Sequence, residues 1–308
     1  MRPHHFLPLL LCTCTTACVT FQRGPSEALP ASERLLLGER GQLRVIDRGA
    51  GEPLLLVHGY GASTASYAPL LAELSTTFRV LAVDLPGFGR SDRRAGDYST
   101  AALADLLARI LDEKQIPAAH VVGHSFGGAV VMAFAQRHPQ RLRRLVVISG
   151  FLYDDQKLPL MRWSRLPGLG ELLYGLFYRQ GIGERMYLNF HDPRFVTEEV
   201  VSEVRRSMDR EGALAAALAT ARGMRFAEAE GGYPKVGAET LVLWGAEDRV
   251  ARLPFAVRLA RELPRGRLQL LPACGHLPMW ECRGATLDAL RHFLVGEPML
   301  AAPPGEAR

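Results

Sequence analysis

The stretch Gly123-His124-Ser125-Phe126-Gly127-Gly128 decides how this 308-residue chain is to be read. It lies between a short apolar run at residues 120–122 and a segment with helical spacing at 126–136. The serine therefore falls on a sharp turn from strand to helix, the context of a nucleophile elbow. Small residues flank it because a side chain at Gly123 or Gly127 would collide with the neighbouring strand or helix. Such a turn lifts the hydroxyl beyond the sheet and sets it at a helix N-terminus, where developing negative charge is favoured. A glycine-rich turn with an incidental serine has the same local signature, so the rest of the chain must decide.

Upstream, residues 34–37, the turn Gly38-Glu39-Arg40-Gly41 and residues 42–46 form a hairpin pattern. The continuous apolar run 53–57 suits a strand buried on both faces. Helical spacing follows at 66–74, then a strand at 79–83 ending at Asp84, then an amphipathic helix at 100–111 with Thr100 or Ser99 available to cap it. Downstream, 142–148 is the next strand. Strands alternating with helices predict an α/β fold with a doubly wound, mostly parallel sheet, because parallel strands need crossover connections. The alternation stops after Gly150. Residues 151–232 are helical in pattern and hold Trp163, Tyr174, Phe177, Tyr178, Tyr187, Phe190 and Phe195, most of them expected in a small core of their own. It resumes with a strand at 239–244, a helix at 255–262, a strand at 267–271 and a helix at 285–294. The expected organisation is a core in two parts, 33–150 and 233–296, interrupted by a helical insertion at 151–232. A linker rich in Pro, Ser and Gly is expected at 19–32 and a flexible tail at 297–308.

The net charge of +5 comes from basic residues scattered among acids, without a run of five or six. That pattern gives a solvated surface, so no nucleic acid partner is expected. Residues 1–18 differ from the rest: a basic start, an apolar run at 6–14, then Thr15-Thr16-Ala17-Cys18. This is the pattern of a secretory leader, too short for a membrane span. Its end resembles a bacterial lipoprotein signal, which implies lipid on Cys18, although Thr15 stands where that signal usually has Leu. A functional leader predicts a periplasmic or membrane-anchored protein with lipid-mediated membrane association; without it the chain is cytoplasmic. Cys274 and Cys282 are expected as free, partly buried thiols, and no metal-ligand spacing is present.

With these segments placed, the chain resembles the α/β-hydrolase family from about residue 33 to 295. The resemblance rests on His58-Gly59-Tyr60-Gly61, Asp84-Leu85-Pro86-Gly87-Phe88-Gly89-Arg90-Ser91, the turn around Ser125, Gly245-Ala246-Glu247-Asp248 and Gly275-His276. It implies that Ser125 is the nucleophile, His276 the general base and Asp248 the carboxylate that orients it. Asp154 and Asp155 stand where some members carry the acid instead, and Glu247 is read as a surface residue. The backbone N–H groups of Tyr60 and Phe126 are the implied oxyanion hole. His58 and the Asp84 to Ser91 stretch are read as braces. The insertion resembles the helical cap that many relatives place over the site, excluding water and shaping an apolar pocket.

Relatives that dehalogenate haloalkanes or open epoxides use an Asp nucleophile, against which Ser125 argues. Relatives that hydrolyse carbon–carbon bonds in ring-cleavage products share the serine but usually carry Trp after the catalytic His, where this chain has Leu277. The resemblance thus implies hydrolysis of an uncharged carboxylic ester of short to medium length through an acyl-serine. Carbon–carbon, amide or lactone hydrolysis, acyl transfer and perhydrolysis use the same parts. A non-turnover small-molecule receptor is the contrasting class. No cofactor is expected, and the oligomeric state is left open.

Overall fold

The computed structural model describes residues 19–296 apart from 26, 39 and 40. The leader with Cys18, the tail 297–308 and the middle of the first hairpin turn lie outside the described residues.

Eight strands form one sheet: β1 (Arg34–Leu36), β2 (Gln42–Arg48), β3 (Glu52–Val57), β4 (Phe78–Val83), β5 (Ala119–His124), β6 (Leu142–Ile148), β7 (Thr240–Gly245) and β8 (Gly266–Leu271). Their order is β1-β2-β4-β3-β5-β6-β7-β8. β1 and β2 make the expected hairpin, and β2 joins β4 antiparallel; every pairing from β4 to β8 is parallel. The apolar runs become central strands because both faces are covered. β3 sends Leu55 and Val57 into one buried cluster and Leu54 and Leu56 into the other, the alternation that a strand imposes.

Helices α1 (Ala68–Leu74), α2 (Thr100–Glu113) and α3 (Phe126–Arg137) connect the first strands. Ser99 rather than Thr100 caps α2, its hydroxyl accepting from the Ala102 N–H. Between β6 and β7 the described elements are helical: α4 (Pro159–Trp163), α5 (Leu169–Phe177), α6 (Ile182–Met186), α7 (Glu198–Asp209), α8 (Ala213–Gly223) and α9 (Phe226–Glu230), with single 3-10 turns. Then come α10 (Leu253–Glu262), α11 (Pro278–Glu281) and α12 (Arg283–Val295). The insertion has its own buried cluster, built on Tyr174, Tyr178, Ile182, Met208 and Leu218.

Two expectations fail here. Of the seven aromatics of the insertion named above, Trp163, Phe177 and Tyr187 are exposed rather than packed inside. In the stretch 19–32, read as a linker, the described residues form a strap along the body. Val19 packs against the insertion's cluster, the Gln22 N–H donates to the Arg93 carbonyl at 2.9 Å, and Leu29 is buried. Pro, Ser and Gly suit an ordered strap as well as a loose linker, because such a strap is held by long-range contacts.

Candidate active site

The sheet's C-terminal edge collects the loops that follow β3, β4, β5, β7 and β8, the usual position of a site in an open α/β sheet. Ser125 caps α3 directly after β5, with φ 53° and ψ −121°. A non-glycine residue in this region is strained, and the surroundings hold it there. Its N–H donates to the Ile148 carbonyl at 3.0 Å, and its carbonyl accepts from Gly128 and Phe151 at 2.8 and 2.9 Å. A Cβ at Gly123 would strike the Gly127 carbonyl, and one at Gly127 the Val57 and His58 carbonyls. Both glycines are therefore required by close backbone approach.

Three side chains then meet. The Ser125 hydroxyl donates to His276 Nε2 at 3.0 Å, and His276 Nδ1–H donates to Asp248 Oδ2 at 2.8 Å. Asp248 Oδ1 accepts the Val250 and Ala251 N–H groups, both at 2.8 Å. These bonds hold the carboxylate as an acceptor and fix the imidazole tautomer that leaves Nε2 free to take a proton. All three residues are buried. Asp154 instead pairs with Lys157, at the start of the insertion. The structure brings Asp248, and neither Asp154 nor Asp155, to the histidine.

Phe126 is the first residue of α3, so its N–H has no acceptor within the helix. Tyr60 follows Gly59, where a Cβ would stand 2.9 Å from the Ser125 Cβ, so the loop after β3 lies against the serine. The Tyr60 ring reaches into the insertion, its hydroxyl donating to the Ala217 carbonyl at 3.1 Å. His58 bonds the Gly59 carbonyl through Nδ1 at 2.7 Å and accepts the Leu85 N–H at Nε2 at 2.9 Å. Burial pushes its pKa down, against the opposing pull of Asp84. Asp84 in turn accepts the Thr64 and Arg90 N–H groups at 2.6 and 2.8 Å, so both features act as braces.

A supporting layer escaped the sequence reading. His124 donates from Nε2 to the His276 carbonyl at 2.8 Å, leaving its buried Nδ1 as a lone pair with no partner among the described residues. Burial, then the neighbouring His276, holds its pKa well below the ordinary value. Glu247 is half-buried rather than a surface residue and accepts the Cys274 N–H at 2.9 Å. Glu281 accepts the Gly275 N–H at 2.6 Å. The Asn189 carbonyl, from the insertion, takes the N–H groups of His276 and Leu277 at 2.8 and 3.3 Å. Cys274 and Cys282 are joined as a disulfide, with Cα atoms 6.1 Å apart, correcting the expectation of free thiols. The bridge closes the short loop that carries His276. Carboxylates next to a Gly-His pair are a weak sequence signal, and none of these acceptors has a spacing that reveals its target.

The α/β-hydrolase fold family model matches residues 52–281. Over 262 residues the chain is 32% identical to the 2-hydroxymuconate semialdehyde hydrolase of Pseudomonas sp. (strain CF600), covering 81% of this chain and 89% of that protein. Among solved structures it is similar to a meta-cleavage product hydrolase from Pseudomonas fluorescens IP01, with TM-score 0.72, 24% identity and coverage of 83% and 95%; that likeness speaks for fold alone. A thermophilic esterase from Thermogutta terrifontis has TM-score 0.71 and 26% identity, covering 85% of this chain and 98% of the other. The elbow, the order of its motifs and these relatives lead to one conclusion: this chain belongs to the α/β-hydrolase family and is an enzyme of hydrolase type.

Proposed function

We propose that this hydrolase cleaves a carboxylic ester with a small to medium apolar acyl group through an acyl-Ser125 intermediate. The observation that carries the reading is the unbroken hydrogen-bonded chain from Ser125 through His276 to Asp248. As Oγ attacks the ester carbonyl, its proton passes to His276 Nε2, and Asp248 stabilises the imidazolium. The N–H groups of Tyr60 and Phe126 receive the developing oxyanion. The proton then goes to the departing alkoxide. Water, deprotonated by the same nitrogen, releases the acid and restores the serine.

A second reading, hydrolysis of a carbon–carbon bond, is favoured by the relative at 32% identity; Leu277 after the histidine speaks against it. One panel separates them: p-nitrophenyl esters from acetate to palmitate, assayed beside 2-hydroxymuconate semialdehyde. For the ester reading, kcat/KM rises by up to about fourfold per methylene, from roughly 0.8 kcal/mol of burial each, then falls once the pocket is full. Ser125→Ala removes this turnover. Flat, negligible ester rates with rapid turnover of the semialdehyde would replace the reading. We also infer export through residues 1–18 with lipid on Cys18, for which fractionation of wild type against Cys18→Ala is the test.

A further inference from the structure

We propose that the outer face of the insertion is a docking surface for an anionic lipid bilayer. The observation is α5, which is apolar on both sides but among the described residues has a partner on only one. Inward, Tyr174 and the following Tyr178 join the insertion's core. Outward, Leu169, Leu172 and Leu176 recur at spacings of three and four, which places them on one face. Trp163 and Leu166 lead into that stripe through the turn in which the Leu166 N–H bonds the Trp163 carbonyl. Trp163 is 55% exposed, Leu172 55% and Leu176 51%. A helix apolar all round is ordinarily covered, and a contiguous apolar stripe in water marks an interaction site. The lone charge on α5 is Glu171; it pairs with Arg222 of α8, which pushes its pKa down to about 2.

Charge identifies the occupant. Arg162, Arg165 and Arg185 flank the stripe in sequence and are exposed, against Glu184 as the exposed acid of residues 158–188, while Arg179 is exposed beside its ion-pair partner Asp209. An apolar face with Trp and a rim of arginine suits the boundary between acyl chains and anionic headgroups. A second copy of this chain fits worse, because a two-fold pairing sets the same arginines against one another. The chain enters the described structure against the insertion, where Val19 packs on the insertion's buried cluster. Among the described residues no helix is long and apolar enough to cross a membrane, so the contact is a seat in the interface.

The inference does not depend on the reaction proposed for Ser125. Its test is sedimentation of the full-length chain with vesicles, in a Cys18→Ser background that removes the attachment site. The parent is expected on phosphatidylglycerol–phosphatidylethanolamine vesicles and far less on phosphatidylcholine. Leu172→Glu with Leu176→Glu should lose at least about tenfold in partitioning without a change in Tm. Brominated acyl chains should quench Trp163 fluorescence, and Trp163→Phe should abolish the quenched fraction. Ser125→Ala should bind as the parent does, so a failed reaction and a failed docking remain distinct. Equal partitioning of parent and double variant overturns the proposal, as does a parent that binds neither vesicle. Dimerisation that the double variant dissolves, without vesicle binding, would reassign the face to self-association.

Discussion

Helices α3 and α5 are both rich in apolar residues, yet ten of twelve residues are buried in α3 and two of nine in α5. The difference lies in their surroundings. α3 is enclosed by the sheet and α2, where close packing gives each methyl a partner. α5 lies at the outside of an insertion too small to enclose it. Composition thus measures how much surface a segment seeks to bury, while topology decides whether the chain supplies the cover. On the sheet side, burial and chemistry coincide; on the insertion's outer side, exposure and apolarity do.

The largest expected effect tests whether chemistry stays on the sheet side. Asp248→Asn should lower kcat by on the order of 10⁴, because the amide holds the wrong histidine tautomer. Asp154→Asn, at the start of the insertion, should stay within a few-fold of wild type. The opposite ranking in matched assays would move the acid and dissolve the contrast. A middle-sized effect concerns stability. Cys282→Ser opens the loop around His276 and should cost roughly 2 kcal/mol in denaturant unfolding. Leu172→Glu on the outer stripe should change it by less than about 0.5 kcal/mol, as exposed substitutions do. Equal losses would mean that α5 is a core element after all.

The smallest effect is read in pH. His58, His120 and His124, all on the sheet side, have pKa values lowered chiefly by burial. Below about pH 6.5 the unfolded chain takes up protons that the folded chain refuses, so stability is present above that value and falls as pH drops. Each histidine contributes a slope of up to about 1.4 kcal/mol per pH unit. His124→Gln keeps a donor for the His276 carbonyl and should make the acid limb shallower by one such increment in Tm-against-pH curves. An unchanged slope would show that His124 takes up its proton without unfolding.

These contrasts also explain what the sequence made legible. The elbow with Ser125 and the sheet could be read because each follows from a local rule: two glycines forced by close approach, and apolar runs of strand length. Asp248 and His276 were legible through the resemblance to α/β hydrolases, whose motifs Gly245-Ala246-Glu247-Asp248 and Gly275-His276 carry them. Glu247, Glu281 and the Asn189 carbonyl could not, since each accepts from a loop distant in sequence or shaped by the fold. The Cys274–Cys282 pairing depends on the turn between them rather than on the count of cysteines. The expectation that most of the insertion's aromatics form a core missed Trp163, Phe177 and Tyr187, because aromatic content says nothing about which side of a helix has company.

The Asn189 carbonyl has a consequence for modularity. The chain of the insertion leaves and returns at adjacent strands, β6 and β7, which makes it look like an exchangeable part. Yet it lends the histidine loop a backbone acceptor, and Gly275 is packed so closely on residues 189–191 that a methyl there would strike them. A graft that replaces the insertion while keeping the sheet would leave two amide protons of that loop without their acceptor. The insertion and the alignment of the base are therefore inherited together in this chain, and a transplanted insertion must bring its own carbonyl to the same point.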